Sequence, residues 1–251
     1  MADLKPQRYK DPRPAESVQY VHEWVRAQPP GWTYELVRLF ITPLTLFVYR
    51  GRGINTENVP SDGPFILAPN HFSNLDHFLI AAFMRRKVQF MAKSQLFGPN
   101  PIFDYIFRVG GVFPVRRGHN DQEAFITAHA ILGRGGCVCM YCEGGRSRTG
   151  LLGEARPGVG RLTLESDAPV VPVAVHGSSS VRRWNRLRFP KVTIQFGEPL
   201  SFPVVERPTL EQQLEAAQTI FDRVKEMYGP LEERGRRQVL KALPGLPSST
   251  G

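Results

Sequence analysis

From residue 64 onward, short apolar runs alternate with segments of helical spacing, and this alternation narrows the possible folds more than any other feature of the chain. The runs are FILA (65–68), VQFMA (88–92), GVFPV (111–115), CVCMYC (137–142), VVPVAV (170–175) and VTIQF (192–196), each bounded by turn residues. Between most of them the spacing becomes helical: after Asp76, from Asp121 to Leu132 with Phe125, Ala128 and Leu132 on one face, and after Pro157. Strands alternating with helices predict an α/β fold, with a mixed, mostly parallel sheet covered by helices. A helix over 210–228, with Thr209 and Gln212 as a capping box, closes the domain.

The segment before the sheet is different. Residues 16–27 read as a short amphipathic helix, QPPG breaks the chain, and Thr33 can cap a second helix over 34–50. That helix is apolar on almost every face from Leu39 to Tyr49, and Pro43 should kink it. Trp32 and Tyr34 flank one end, and Tyr49, Arg50 and Arg52 the other. Such flanks suit a membrane interface; a core helix is the equal alternative. The expected organisation is therefore 1–50 as a helical membrane-associating segment, 51–229 as an α/β domain and 230–251 as a basic, flexible tail. Residues 1–17 lack the apolar stretch of a signal peptide, and no run approaches the ~18 apolar residues of a transmembrane helix.

Lysine and arginine exceed aspartate and glutamate by 32 to 23, a net charge of +9. An anionic partner follows: nucleic acid, an anionic membrane surface or a phosphorylated substrate. No nucleic-acid motif is visible. RRWNRLRFPK (182–191) sets five basic residues beside Trp184 and Phe189, a composition that can rest on anionic lipid or form a solvated loop. Cys137, Cys139 and Cys142 lie in one strand. An odd, clustered set is no disulfide framework, and the single CxxC lacks a metal-binding partner, so they read as small buried hydrophobes.

Chemistry concentrates at strand ends. In APNHFSNLDHF (68–78), His71 and Asp76 follow an apolar strand. The pair can be catalytic, metal-binding or a capped helix start. Ser73 or Asn74 can cap the helix. If the side chains meet, Asp76 fixes the imidazole tautomer and leaves the other nitrogen as a base. His77 should point elsewhere; His22, His119 and His129 have no partner at useful spacing; His176 ends a strand as a second candidate. GGVFPVRR (110–117) delivers Arg116 and Arg117 to another strand end. YCEGGRSRTG (141–150) follows a third: Gly144 and Gly145 allow close backbone approach, and Arg146 and Arg148 supply forks that fit phosphate oxygens. The loop is not a P-loop, because the Lys–Ser/Thr ending is absent.

These segments carry a resemblance. NHFSNLD is similar to the NHxSxxD block of the glycerolipid acyltransferases, the 1-acylglycerol-3-phosphate acyltransferase family. GGVFPVR resembles that family's second block, CEGGRS its PEGTRS block, ARPGVGRL its FKxG segment and VVPVAV its proline-containing fourth block. Order and spacing agree over roughly residues 60–200. Cys142, Gly145 and Ala155 depart from the usual proline, threonine and phenylalanine. The resemblance implies transfer of a fatty acyl group from a thioester, acyl-CoA or acyl carrier protein, to a hydroxyl of lysophosphatidic acid. It implies His71 and Asp76 as catalytic residues. Arg116, Glu143, Gly144, Gly145 and Arg146 are implied at the substrate phosphate, with no metal and no cofactor. It places the enzyme peripherally or monotopically on the cytoplasmic face of a membrane. Glycerol 3-phosphate or another lysolipid is the alternative acceptor, and a non-catalytic binder of anionic lipid the alternative class.

Overall fold

The computed structural model describes residues 10–119, 121–147, 149–180 and 189–242. Among these residues seven strands form one sheet: β1 (Arg52–Ile54), β2 (Phe65–Pro69), β3 (Val88–Lys93), β4 (Phe113–Val115), β5 (Cys137–Cys139), β6 (Val170–His176) and β7 (Thr193–Phe196). Their order is β1-β7-β6-β2-β5-β3-β4. Every neighbouring pair is parallel except β6–β7. The six apolar runs of the sequence are all strands; β1 is the addition. β2 lies at the centre, and all five of its residues are buried, which is why it reads as a continuous apolar run instead of an alternating one.

Helices cover both faces. They are α1 (Gln19–Ala27), α2 (Trp32–Pro43), α3 (Asp76–Ala81), α4 (Pro101–Val109), α5 (Gln122–Gly133), α6 (Pro157–Leu164), α7 (Leu210–Glu233) and α8 (Arg236–Ala242). Ile66, Ala68 and Val138 face a core built with α1, α5, α6 and α7. Phe65, Leu67, Cys137 and Cys139 face the opposite core with α2 and α3. The pleat continues beyond β5: Met140 and Cys142 belong to the first core and Tyr141 to the second. On the first face α6 and α7 touch backbone to backbone. A Cβ at Gly160 would meet the Gln213 carbonyl oxygen at 1.9 Å.

The N-terminal helices part company. α1 is core: Val21 and Val25, with Val18 just before the helix, are buried in the first core, and His22 Nδ1 pairs with Thr127 Oγ1 at 2.8 Å. α2 is anchored on one side by Tyr34, whose hydroxyl accepts from the Val88 amide (3.1 Å). Its other side is bare, with Leu39 66%, Phe40 69% and, in the following turn, Phe47 80% exposed. Gly31, not Thr33, is the cap residue, and Thr33 instead donates to the Ile106 carbonyl. After Pro43 the helix passes into a single π turn, Leu44–Val48, the local response to a residue without an N–H. At the other end α7 continues past 230 to Glu233 with Leu231 buried, and α8 follows, so ordered helix replaces the first part of the expected tail. Thr209 and Gln212 form the expected capping box. Arg148, most of the 182–191 loop and residues 243–251 lie outside the described residues.

Candidate active site

β2 ends at Pro69, and the next residue extends its ladder with a side chain. The Asn70 amide donates to the Val175 carbonyl (3.0 Å), and the Asn70 carbonyl oxygen accepts from the Val175 amide (2.7 Å). Asn70 is fully buried. It satisfies the groups that one more strand residue would have paired, so the main chain is free to turn outward at His71.

His71 is held from three directions. Its Nδ1 lies 2.8 Å from Asp76 Oδ2. The same carboxylate oxygen accepts the amides of Phe72 (2.7 Å) and Ser73 (2.8 Å). This carboxylate, in place of the expected Ser73 or Asn74 cap, closes the turn into α3, where no side chain caps the Leu75 position. Ser73 Oγ accepts the Leu75 amide. Asp76 acts there only as an acceptor, so Nδ1 carries the imidazole proton and Nε2 is the lone-pair nitrogen. The His71 main chain is clamped as well: its amide donates to Glu143 Oε2 (2.7 Å), and its carbonyl accepts the Ser147 amide (2.8 Å). The ring lies flat on Tyr141, with centroids 3.8 Å apart and planes 17° apart. Burial lowers the His71 pKa. The Asp76 hydrogen bond and charge oppose that shift, and the charges of Arg117 and Arg146 add to it. The neutral, base form therefore persists below the usual histidine range.

His71 opens onto a chamber of about 500 Å³ whose remaining wall is largely apolar, contributed by α2, α3 and α4 through residues such as Val37, Ile41, Phe78, Ala81, Phe103 and Phe107. Arg117 and Arg146 stand at its polar end and also line a second, more open cavity of about 730 Å³, together with Glu143, Gly144, Gly145 and Arg156. Tyr141 lines both cavities. An imidazole base thus lines an apolar chamber and stacks on a tyrosine shared with the neighbouring arginine-bearing cavity, an arrangement that can receive an acyl chain on one side and an anionic headgroup on the other.

The structure redistributes the residues expected at the phosphate. Gly144 adopts φ 62, the left-handed conformation that favours glycine, and lets the loop fold over Arg156. Arg146 lines both cavities. Arg116 does not: its guanidinium donates to the Arg13 carbonyl (2.6 Å), its amide to Asp121 Oδ2 (2.6 Å), and it lines neither cavity. β4 ends at Val115, and the turn carries the second residue beyond it, Arg117, to both cavities instead. Glu143 holds backbone with both of its oxygens. Oε2 accepts His71 N–H, and Oε1 accepts Gly153 N–H at 2.6 Å. Burial raises its pKa against those two hydrogen bonds.

The other histidines are accounted for, save one. His119 bonds the Asp11 carbonyl, His129 pairs with Glu165, and His176 pairs with Glu232 of α7 away from both cavities. His77, expected to point elsewhere, lines the chamber. The three cysteines are buried and free, and burial raises each thiol pKa, so they are packing groups. Among the described residues no cluster of three or more His, Cys, Asp or Glu is placed to hold a metal ion.

Known proteins share this architecture. Residues 52–176 match the family model described as Acyltransferase. A 1-acyl-sn-glycerol-3-phosphate acyltransferase of Bacillus subtilis is 25% identical over 181 residues, 71% of this chain and 88% of that protein. A chloroplastic protein of the same description from Brassica napus is 27% identical over 128 residues, 50% of this chain but 37% of that one. A glycerol-3-phosphate acyltransferase of Pseudomonas aeruginosa is 27% identical over 165 residues, 58% of this chain and 20% of that protein. The crystal structure of the 1-acyl-sn-glycerophosphate acyltransferase of Thermotoga maritima superposes with a TM-score of 0.62 at 22% identity, covering 80% of this chain and 81% of that one. At that identity the likeness is one of fold.

Proposed function

This chain belongs to the acyltransferase family through its residues 52–176, and we propose that it moves a fatty acyl group from a thioester donor to a hydroxyl of lysophosphatidic acid, giving phosphatidic acid. The observation that carries this reading is the His71–Asp76 pair, its imidazole lining the apolar chamber and stacked on Tyr141, which that chamber shares with the arginine-bearing cavity. In the reaction, His71 Nε2 takes the acceptor hydroxyl proton while Asp76 holds the ring and supports the imidazolium. The oxygen bonds to the thioester carbon, the resulting tetrahedral adduct expels the thiolate, and His71 returns the proton to sulfur. Arg117 and Arg146 face the acceptor phosphate, where guanidinium forks match its oxygens. Acyl-CoA and acyl carrier protein present the same thioester, and either serves as donor.

Membrane association accompanies this function. Leu39 and Phe40 on α2, Phe47 in the turn after it, and Ile102 and Phe103 on α4 are exposed, and α2 and α4 also wall the chamber. Arg50, Arg52, Arg236 and Arg237 lie close enough that the other three depress the Arg236 pKa after burial has done so. Exposed apolar side chains near clustered arginines fit the cytoplasmic face of an anionic bilayer, from which an acyl chain can enter directly. No helix among the described residues is long and apolar enough to cross a membrane. Co-sedimentation with anionic vesicles, lost in a Phe40→Ser/Phe47→Ser variant, supports this placement; undiminished binding by that variant overturns it.

The Pseudomonas relatives described as glycerol-3-phosphate acyltransferases supply the second reading, with that smaller acceptor. Labelled acyl-CoA and labelled acyl carrier protein, each offered with lysophosphatidic acid, other lysolipids and glycerol 3-phosphate, decide the matter by product mass. Labelled phosphatidic acid as the main product supports the first reading. Lysophosphatidic acid formed from glycerol 3-phosphate, without phosphatidic acid, replaces it with the second.

A further inference from the structure

The chamber holds two imidazoles, and only one has a role in the proton transfer above. His77 follows Asp76 in the first turn of α3 and lines the same chamber as His71. Its ring packs against two others, Phe78 at 4.1 Å and Phe90 at 5.7 Å between centroids. Neither nitrogen has a hydrogen-bond partner among the described residues, and neither is sealed as Asp76 Oδ1 is. A polar ring placed in an apolar wall, unpaired and facing the cavity, lacks the side-chain partner that the buried His22 and the half-buried His129 possess. Burial, then the charge of His71, lowers its pKa to about 4. The ring is therefore neutral at physiological pH and holds one N–H donor, and it does not compete with His71 as a base.

We propose that His77 is a catalytic hydrogen-bond donor, its N–H aimed at the carbonyl oxygen of the acyl donor. The proposal rests on the acyl-transfer reading above. In the step, the acceptor O–H proton goes to His71 Nε2 and the oxygen–carbon bond forms. The carbonyl π pair moves onto oxygen, and there His77 meets the new negative charge. When the carbonyl re-forms, the carbon–sulfur bond breaks and the thiolate takes the proton from His71. His77 neither gains nor loses a proton overall. A neutral imidazole is well matched to this role. Its N–H is already oriented in a site of low polarity, where such a bond strengthens as charge develops.

The test compares His77→Phe, which keeps a ring against Phe78 and Phe90, with His77→Gln and His77→Asn, which restore an N–H at different reach. Wild type and His71→Ala are measured alongside with one acyl-CoA and lysophosphatidic acid. Removing one such donor is expected to lower kcat about 10²–10³-fold, with donor and acceptor KM within about threefold of wild type. Gln or Asn should recover at least about tenfold of the loss. A non-transferable acyl-CoA ketone, which keeps the carbonyl, should bind His77→Phe more weakly than wild type, whereas the thioether analogue without a carbonyl should bind both alike. Near-wild-type kcat in His77→Phe overturns the inference, and so does a loss that neither amide recovers. If wild type forms no acylated product at all, the functional reading itself fails; ketone binding indifferent to His77 would then overturn the inference separately.

Discussion

Glu143 offers the sharpest contrast between a headgroup ligand and a backbone clamp. Its two oxygens accept the amides of His71 (2.7 Å) and Gly153 (2.6 Å). Glu143→Gln keeps the shape but replaces one acceptor oxygen with an NH₂ group, which then faces an N–H. One charge-assisted bond is lost, worth about 1.5–3 kcal/mol, with the lower end favoured because the Gly153 side is open to solvent. Glu143→Ala removes both bonds and frees the main chain that carries the catalytic ring. A displacement of about 1 Å can cost ~10²-fold in rate. The expected result is a kcat about tenfold lower for Gln and about a hundredfold lower for Ala, with acceptor KM within about threefold. Steady-state release of free thiol from acyl-CoA, followed with a chromogenic thiol reagent at varied lysophosphatidic acid, measures both parameters. A raised acceptor KM at unchanged kcat would refute the clamp and return the carboxylate to the substrate headgroup.

Arg117→Ala and Arg146→Ala should raise acceptor KM about tenfold to a hundredfold, the equivalent of about 1.5–3 kcal/mol per charge-assisted contact, while Arg116→Ala should leave it near wild type; kinetics of the three variants check this. Gly160→Ala forces α6 away from α7, because its Cβ would sit 1.9 Å from the Gln213 carbonyl oxygen. Overpacking of about 1–3 kcal/mol should lower Tm by several degrees in a thermal melt without changing the KM of either substrate. The acidic limb of kcat/KM should fall below pH 6.5, since the His71 pKa is lowered and its base form survives to lower pH; a limb at or above 6.5 in the pH–rate profile contradicts the burial of the ring.

The strands are legible in sequence because burial on both faces leaves continuous apolar runs, FILAP above all. β1 is not: three residues with a central glycine carry no pattern, and only pairing with Thr193–Gln195 makes Arg52–Ile54 a strand. α4 is missing from the sequence reading although Asn100 caps it and Pro101 opens it; Ile102, Phe103, Ile106 and Phe107 keep helical spacing, so the signal was there to be found. The His71–Asp76 pair is legible because five residues of local turn fix it. Its supports are not, because Val175 lies 105 residues from Asn70 and Glu143 lies 72 from His71. The Arg116–Arg117 ambiguity has a local cause: beyond Val115 strand parity ends, and a one-residue shift reverses the side presented. Helical spacing turns His77 away from His71, but α3 has only begun at Asp76, and the chamber wraps around its first turn.

The central claim is that His71, held by Asp76, is the base in acyl transfer. The most direct measurement is the rate of labelled phosphatidic acid formation by wild type and His71→Ala at matched concentration, from acyl-CoA and lysophosphatidic acid, with circular dichroism confirming that both are folded. The expected result is product from wild type and a rate at least about 10²-fold lower from the folded variant, the typical worth of a general base. A folded His71→Ala protein that forms phosphatidic acid at a rate near wild type contradicts it.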